Sequence, residues 1–348
     1  MNKKPFQWAV VGAGPAGIAA VGKLLDHGIT PKDILWLDLA FQVGDLGRLW
    51  KNVSSNTTVR LFKDFLNAVQ SFGYAKAPID FALNHLPPHE TCTLKAMVEP
   101  LQWVTSQLKN AVTAEVCLIR HLHLSERQWT LQSDTHAFHA QHVILATGSV
   151  PTALNDPNIN TIPLEQAIDK QLLSEAINPQ DTIAVFGSSH SAIIILQHLV
   201  DLGVKKIINF YRSPCRYAID LGGSVLFDNT GLKGNAALWA REHIDGTWPP
   251  NLVRYSSCEF NRLRHLPDCD KAIYATGFTR RNTITIGEDE HHEYNPYVGI
   301  IGPGLFGAGI AYPERRTDTN GIIESQVGLW KFMNYLHRVM PIWFKYTT

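Results

Sequence analysis

The stretch WAVVGAGPAGIAAVGKLLDHG, residues 8–28, has a near twin in IAVFGSSHSAIIILQHLVDLG, residues 183–203. In each, a β-branched, apolar run ends on glycine, small residues follow, and apolar residues then recur at helical spacing. That order reads strand, tight turn, helix. A second strand comes next in both, DILWLDL (33–39) and KKIINFYR (205–212), and each unit later ends a strand alike, ILATGS (144–149) and IYATGF (273–278). Two pairs of patterns in the same order imply two similar supersecondary units in one chain.

The first copy carries Gly12-x-Gly14-x-x-Gly17. Gly12 allows the sharp turn, Gly14 lets a pyrophosphate approach the backbone, and Gly17 lets the helix pack on the strand. Pro15 and Ala16 open the helix, whose unpaired N–H groups and dipole favour a phosphate. Asp38 ends the next strand, where a carboxylate can accept hydrogen bonds from ribose hydroxyls. In the second copy Gly187 keeps the turn, Ser188 follows, Ser189 replaces the middle glycine and Ala192 the third. His190 and Ser191 start that helix, His190 as a cap or a phosphate contact. Tyr211-Arg212 stands where the first copy has its acid, and a guanidinium there suits a 2′-phosphate, favouring NADPH over NADH; the alternative is a solvated strand-end arginine. The fold class is therefore α/β, with two Rossmann-like folds.

Further segments carry a family likeness: GDLGRLW (44–50), NVSSNTTVRLFKDF (52–65), DKAIYATGF (270–278) and ESQVGLWKFM (324–333). With the paired nucleotide motifs, the chain resembles the flavoproteins with two dinucleotide-binding domains, and within them most resembles flavin-containing monooxygenases and their bacterial relatives. The resemblance implies FAD in a domain of residues 1–155 and 279–348, and NAD(P)H in an inserted domain of residues 156–278. It implies Asn56 beside the flavin ring and nicotinamide, and Arg48, Leu49 and Trp50 near the FAD diphosphate and ring. Thr147 and Gly148 would follow the strand closing the FAD fold, Thr276 and Gly277 the one closing the NADPH fold, with Gly304 and Gly307 on the C-terminal FAD strand. Two departures stand out. The Phe-x-Gly-x-x-x-His stretch of such monooxygenases is replaced by TIPLEQAIDK (161–170), and the C-terminal strand reads GLFGAGIAYPE (304–314) without the Gly-Asp of disulfide reductases.

Composition narrows the classes. The 348 residues carry 31 Lys plus Arg against 31 Asp plus Glu, so no net field draws the chain to nucleic acid. Charged residues are only 18%, below the ~25% of an average protein, which points to much buried surface. The uncharged stretches 5–22 and 294–313 are broken by Gly and Pro and do not read as membrane spans. The opening MNKKPFQWAVVGAG breaks at Gly12 with no small-residue cleavage site after it, so a cytoplasmic protein is expected, and the five cysteines are scattered with no C-x-x-C pair, which argues against a redox dithiol. His121, His123, His136, His139 and His142 fall in a polar β-meander with no Cys or carboxylate completing a set, so no metal is expected. The Ser188–Ser191 run lacks a nucleophile elbow.

Several regions carry broader expectations. A last helix over about 321–340 would bury Ile323, Val327, Trp330, Met333 and Leu336 and point its N-terminus at the flavin. The aromatics of 54–99 and the stretch 216–251 would line the substrate side, with DLGGSVLFDNTGLKGN (220–235) as a lid or a surface loop. The run LWKFMNYLHRVMPIWF (329–344) reads as core or as a homodimer contact. The expected activity is hydride transfer from NADPH to flavin and on to oxygen and a small organic substrate. An alternative passes the electrons to a quinone, ferredoxin or other small acceptor without oxygenation, which the missing Phe-x-Gly-x-x-x-His favours; another is a non-enzymatic redox sensor.

Overall fold

Apolar residues on both faces of a strand demand cover on both sides, and the first strands have it. In β1 (Phe6–Val11) Trp8 and Val10 enter one buried cluster while Ala9 and Val11 enter another; β2 (Ile34–Asp38) divides Ile34 and Trp36 from Leu35 and Leu37 in the same way. Such two-sided burial is the mark of a parallel sheet. The computed structural model describes residues 4–154, 158–222, 225–287, 293–318 and 320–347, and the chain forms two compact units, Met1–Ser149 with Arg280–Thr348, and Val150–Thr279.

The first unit begins with β1, α1 (Pro15–Asp26), β2, α2 (Gly44–Arg48), β3 (Ser54–Thr58), α3 (Val59–Asn67), β4 (Thr91–Thr93), α4 (Lys95–Ala111) and β5 (Thr113–Val116). An antiparallel meander follows: β6 (Ile119–Ser125), β7 (Gln128–Ser133) and β8 (Ala137–Leu145). β8 then runs parallel to β1, with Val11 opposite Leu145, and β1 runs parallel to β2, with Val11 opposite Leu37. α1 opens on Pro15, whose fixed φ suits a first helical position. Gly22 lets it close on α3's neighbourhood: a Cβ there would stand 2.6 Å from Phe72 and Val69.

The second unit follows β9 (Ser149–Pro151), β10 (Asn160–Thr161), α5 (Leu164–Ala167), α6 (Lys170–Ala176), β11 (Thr182–Phe186), α7 (His190–Asp201), β12 (Lys206–Tyr211), the hairpin β13 (Ile219–Asp220) and β14 (Val225–Leu226), α8 (Gly234–His243), β15 (Leu252–Ser256), α9 (Glu259–His265), β16 (Lys271–Tyr274) and β17 (Phe278–Arg280). Its parallel sheet has the order β10-β16-β11-β12-β15. On one face, in-register rings stack across three strands: Tyr274 on Phe186 and Phe186 on Phe210, each pair 4.8 Å apart.

The chain returns through β18 (Thr285–Ile286), β19 (Ile300–Gly302), β20 (Leu305–Gly307), β21 (Glu314–Thr317), β22 (Ile323–Gln326) and α10 (Leu329–Trp343). β20 pairs parallel with β8 and completes the first sheet. Here the expected last helix is corrected. Residues 323–326 alternate as a strand paired with β21, Gly328 at φ 141° breaks the chain, and the helix starts at Leu329. Ile323 and Val327 are accordingly 59% and 41% exposed, whereas Met333 and Leu336 are fully buried and Trp330 is half-buried.

One other expectation changes, and two are narrowed. Phe62, Phe65 and Phe72 of the 54–99 segment are buried in the first unit's core and line no open face. The α10 stripe takes the core reading of its two: Phe332, Tyr335 and Trp343 are buried there. The 220–235 segment, of which Gly223 and Ser224 lie outside the described residues, is folded on itself. β13 pairs β14, Arg216 lies over the Phe227 ring at 4.5 Å, and Lys233 pairs with Asp228. No described helix is long and apolar enough to cross a membrane.

Candidate functional site

The carboxyl ends of β1, β8 and β20 converge on the Gly12 turn. Gly12 sits at φ +111°, its N–H donates to Leu37 O at 2.7 Å, and a Cβ on it would lie 2.3 Å from Ala146 O. Gly17 is more confined, since a Cβ would meet Gly12 O at 1.9 Å. Gly14 differs: a Cβ there would meet nothing nearer than Gly44 Cα at 3.9 Å. The protein's own packing therefore does not require a glycine at Gly14, and the space beside it admits a ligand's backbone approach. No side chain caps α1, so its first-turn N–H groups face that space with no side-chain competitor. A dinucleotide's pyrophosphate fits this cradle.

Asp38 is committed to the protein. Oδ2 accepts from Ala13 N–H at 2.7 Å, while Oδ1 accepts from Ala40 N–H at 2.8 Å and Phe41 N–H at 2.7 Å. Those bonds hold a strained loop: Phe41 (φ 53°) and Val43 (φ 60°) are buried residues in left-handed backbone, rare for a β-branched side chain. Gln102 Nε2–H adds a bond to Phe41 O at 2.9 Å. The loop delivers Gly44 (φ +57°) so near the cradle that a Cβ on it would be 2.8 Å from Gly14 Cα.

α2 carries the next layer. Asp45 Oδ1 accepts from Arg48 Nη2 at 2.7 Å and Asp45 Oδ2 from Arg281 Nη2 at 2.6 Å. Leu49 and Trp50 N–H groups both donate to Asp45 O. Thr147 and Gly148 join through Arg281, whose Nη1 donates to Thr147 O at 3.4 Å and whose N–H donates to Gly148 O at 3.2 Å. Gly12, Gly14, Asp38, Arg48, Leu49, Trp50, Thr147 and Gly148 are thus brought together. Asn56 stands outside this bonded group, exposed on β3, its Oδ1 accepting from Thr57 Oγ1 at 3.4 Å.

Two C-terminal glycines serve packing. Gly304 lies at the entry end of β20, opposite to the cradle, and its O accepts from Val143 N–H; Gly307 abuts Tyr312, where a Cβ would be 2.4 Å from Cγ. Gly309 is the glycine that reaches α1, with a Cβ position 2.7 Å from Ala16 Cβ. The sequence reading missed it, along with Arg281, Asp45 and Gly44. The GAG of 307–309 and the cationic pair Arg280-Arg281 after the second ATG strand end were the available signals.

The second unit repeats the turn with other chemistry. Gly187 (φ +128°) donates its N–H to Phe210 O at 2.9 Å, and a Cβ on it would lie 2.4 Å from Ala275 O. Ala192 is buried and packs behind that turn, whereas Ser189 is the exposed N-cap of α7, with no side-chain cap bond. Ser188 Oγ donates to Ser213 O at 2.8 Å. His190 and Ser191 are half-buried in the first turn, and Arg212 is exposed just beyond β12. Thr276 and Gly277 close β16, Thr276 Oγ1 donating to Thr152 O at 2.6 Å. Beneath the turn, buried Asn209 donates to Val185 O and Gly187 O and accepts from Arg254 Nε, all at 2.9 Å.

The remaining titratable groups do not build a centre. His121, His123, His136 and His139 are exposed on the meander, and His142 is buried against Trp8 at 4.8 Å, where burial lowers its pKa. No group of three or more His, Cys, Asp or Glu among the described residues is placed to hold a metal. All five cysteines are free thiols.

Comparison with known proteins agrees with this geometry. The model of the pyridine nucleotide-disulphide oxidoreductase family matches residues 6–216. The chain belongs to that family. It is 35% identical over 381 aligned positions to "Monooxygenase AgnR1" of Paecilomyces divaricatus, covering 96% of this chain and 97% of that protein. Among solved structures it is similar to the ornithine N-hydroxylase KtzI of Kutzneria sp. 744 (TM-score 0.67, 13% identity, 99% and 100% of the two chains). A flavin-containing monooxygenase from Stenotrophomonas maltophilia gives TM-score 0.62 at 15% identity (99% and 100%), and thioredoxin reductase from Lactococcus lactis 0.59 at 11% (98% and 99%); at such identities these show the fold alone. The sequence expectation of a two-fold flavoprotein is borne out. This family member is an NAD(P)H-dependent flavoprotein oxidoreductase of monooxygenase-like type.

Proposed function

We propose that the enzyme uses NADPH and molecular oxygen to oxygenate a small organic molecule bearing a soft nitrogen or sulfur atom. Two electrons come from the coenzyme, one oxygen atom enters the substrate and the other leaves as water. The bound flavin supplies the redox chemistry between coenzyme and oxygen. The observation that supports the reading best is the open Gly14 cradle in a chain with no C-x-x-C dithiol and a full-length monooxygenase relative.

The chain's own residues then have distinct tasks. α1 and Gly14 receive the FAD diphosphate, and Asp38 keeps the cradle's loop in place while meeting the ribose. Arg48, Leu49 and Trp50 flank the diphosphate and ring. α10, starting at Leu329, directs its N-terminal dipole toward the flavin and favours its reduced anion. Ser189 and the first turn of α7 receive the NADPH phosphates, Arg212 takes the 2′-phosphate, and Asn56 hydrogen-bonds the reacting ring. We place the enzyme in the cytoplasm, in keeping with its free thiols.

The test is turnover with NADPH and a panel of amines and sulfides under isotopically labelled oxygen. Labelled product with one NADPH consumed per oxygenation supports the proposal. Anaerobic turnover with a quinone or ferredoxin, and no label in any product, would instead establish the reductase reading, which the departure at Thr161–Lys170 favours.

A further inference from the structure

Arg281 bonds four residues of the cradle from one position. Its Nη2 donates to Asp45 Oδ2 at 2.6 Å and to Ser149 O at 3.2 Å, its Nη1 to Thr147 O at 3.4 Å, and its N–H to Gly148 O at 3.2 Å. The side chain is 29% exposed and Asp45's is 18%, so this is an inner pair, while Arg48, on the other carboxylate oxygen, is 54% exposed. Gly44, beside Asp45, has its backbone against Gly14.

Charge makes the arrangement meaningful. A lone carboxylate next to a diphosphate would repel it, yet two guanidiniums on Asp45 leave the trio with net positive charge. The same bonds steady the end of a loop whose Phe41 and Val43 are in left-handed backbone. A strained segment keeps one position only when its surroundings over-determine it.

We propose that Arg281 is a positioning residue for the flavin nucleotide's diphosphate, neutralising Asp45 and holding α2 against Gly14. The inference rests on the FAD reading above and assigns to a residue far along the sequence a role in the N-terminal phosphate cradle.

The experiment titrates flavin-stripped protein with FAD, following flavin fluorescence, for wild type, Arg281→Ala, Arg281→Lys, Asp45→Asn and the double variant Arg281→Ala with Asp45→Asn. Arg281→Ala should weaken FAD about tenfold, the value of one charge-assisted hydrogen bond. Arg281→Lys should recover part of that, and adding Asp45→Asn to Arg281→Ala should recover affinity by removing the unneutralised carboxylate. NADPH affinity should be unchanged. FAD affinity of Arg281→Ala within about twofold of wild type overturns the proposal. So does a loss that Asp45→Asn leaves uncorrected while the melting temperature of the flavin-free protein falls in step, since that is a folding role alone. Wild-type protein that takes up no FAD overturns the FAD reading itself, and this proposal with it.

Discussion

The Gly12 and Gly187 turns share a frame and differ in what stands beneath it. Each glycine is in left-handed backbone under a strand-end carbonyl, Ala146 O at 2.3 Å from a would-be Cβ in one and Ala275 O at 2.4 Å in the other. Below Gly12 O lies the Trp36 indole N–H at 3.0 Å, with Asp38 bound to Ala13 N–H. Below Gly187 O lies buried Asn209, itself bonded by Arg254. The backbone solution is common to both units; the polar support is anionic in the first and cationic in the second. The geometry is set by the turn, and the electrical character by two residues on the neighbouring strands.

The largest expected effect comes from adding a methyl group at each glycine. Gly12→Ala and Gly187→Ala each force an overlap and a strained φ, costing on the order of 3 kcal/mol. The first should lose FAD; the second should keep flavin absorbance but lose rapid reduction by NADPH in anaerobic stopped flow. Loss of flavin in the Gly187 variant would break the assignment of separate tasks.

Next, Asn209→Leu leaves Val185 O, Gly187 O and Arg254 Nε without their bonds, a cost of about 3 kcal/mol. Trp36→Phe removes one bond and part of a ring, about 2 kcal/mol. Urea denaturation orders the two, and a milder Asn209 variant would show that the second turn is less dependent on its support than the first. Arg212→Ala should then shift coenzyme preference toward NADH about tenfold in kcat/KM. An unchanged NADPH-to-NADH ratio would return Arg212 to the solvated surface.

The smallest effect concerns His142, whose pKa burial lowers below the ordinary 6.5 and whose Nδ1 is buried with no hydrogen-bond partner. Below about 6.5 the unfolded chain takes up a proton that the folded chain refuses, so this group's contribution, full at higher pH, is lost as pH falls. His142→Phe should lessen the loss of stability between about pH 7 and pH 5 by about 1 kcal/mol. Denaturation midpoints at the two pH values measure it, and identical acid slopes would count against it.

What could be read in advance followed local rules. The continuous apolar runs of β1 and β2, buried on both faces, the glycine turns and the ATG strand ends are short-range features, and they were legible. The start of α10 was not, because Ile323 and Val327 fit a helical stripe until Arg316 and Thr317, brought alongside by the turn, pair with Glu324 and Ile323 as a strand. Arg281 was hidden for a related reason: it bonds Asp45 across 236 positions, a separation no pattern in a window can register. The aromatics of α3 looked like a ligand wall because composition alone does not say which side of Phe62 and Phe65 is covered.

Asp38 spends three acceptor positions on Ala13, Ala40 and Phe41, out of about four that a carboxylate offers. A nucleoside arriving there finds roughly one vacancy, so a sugar lacking a hydroxyl forfeits little at this contact. On the proposed FAD reading, selectivity for the adenosine half would then fall to the contour of the surrounding main chain, with the acid chiefly the fastening that keeps that contour.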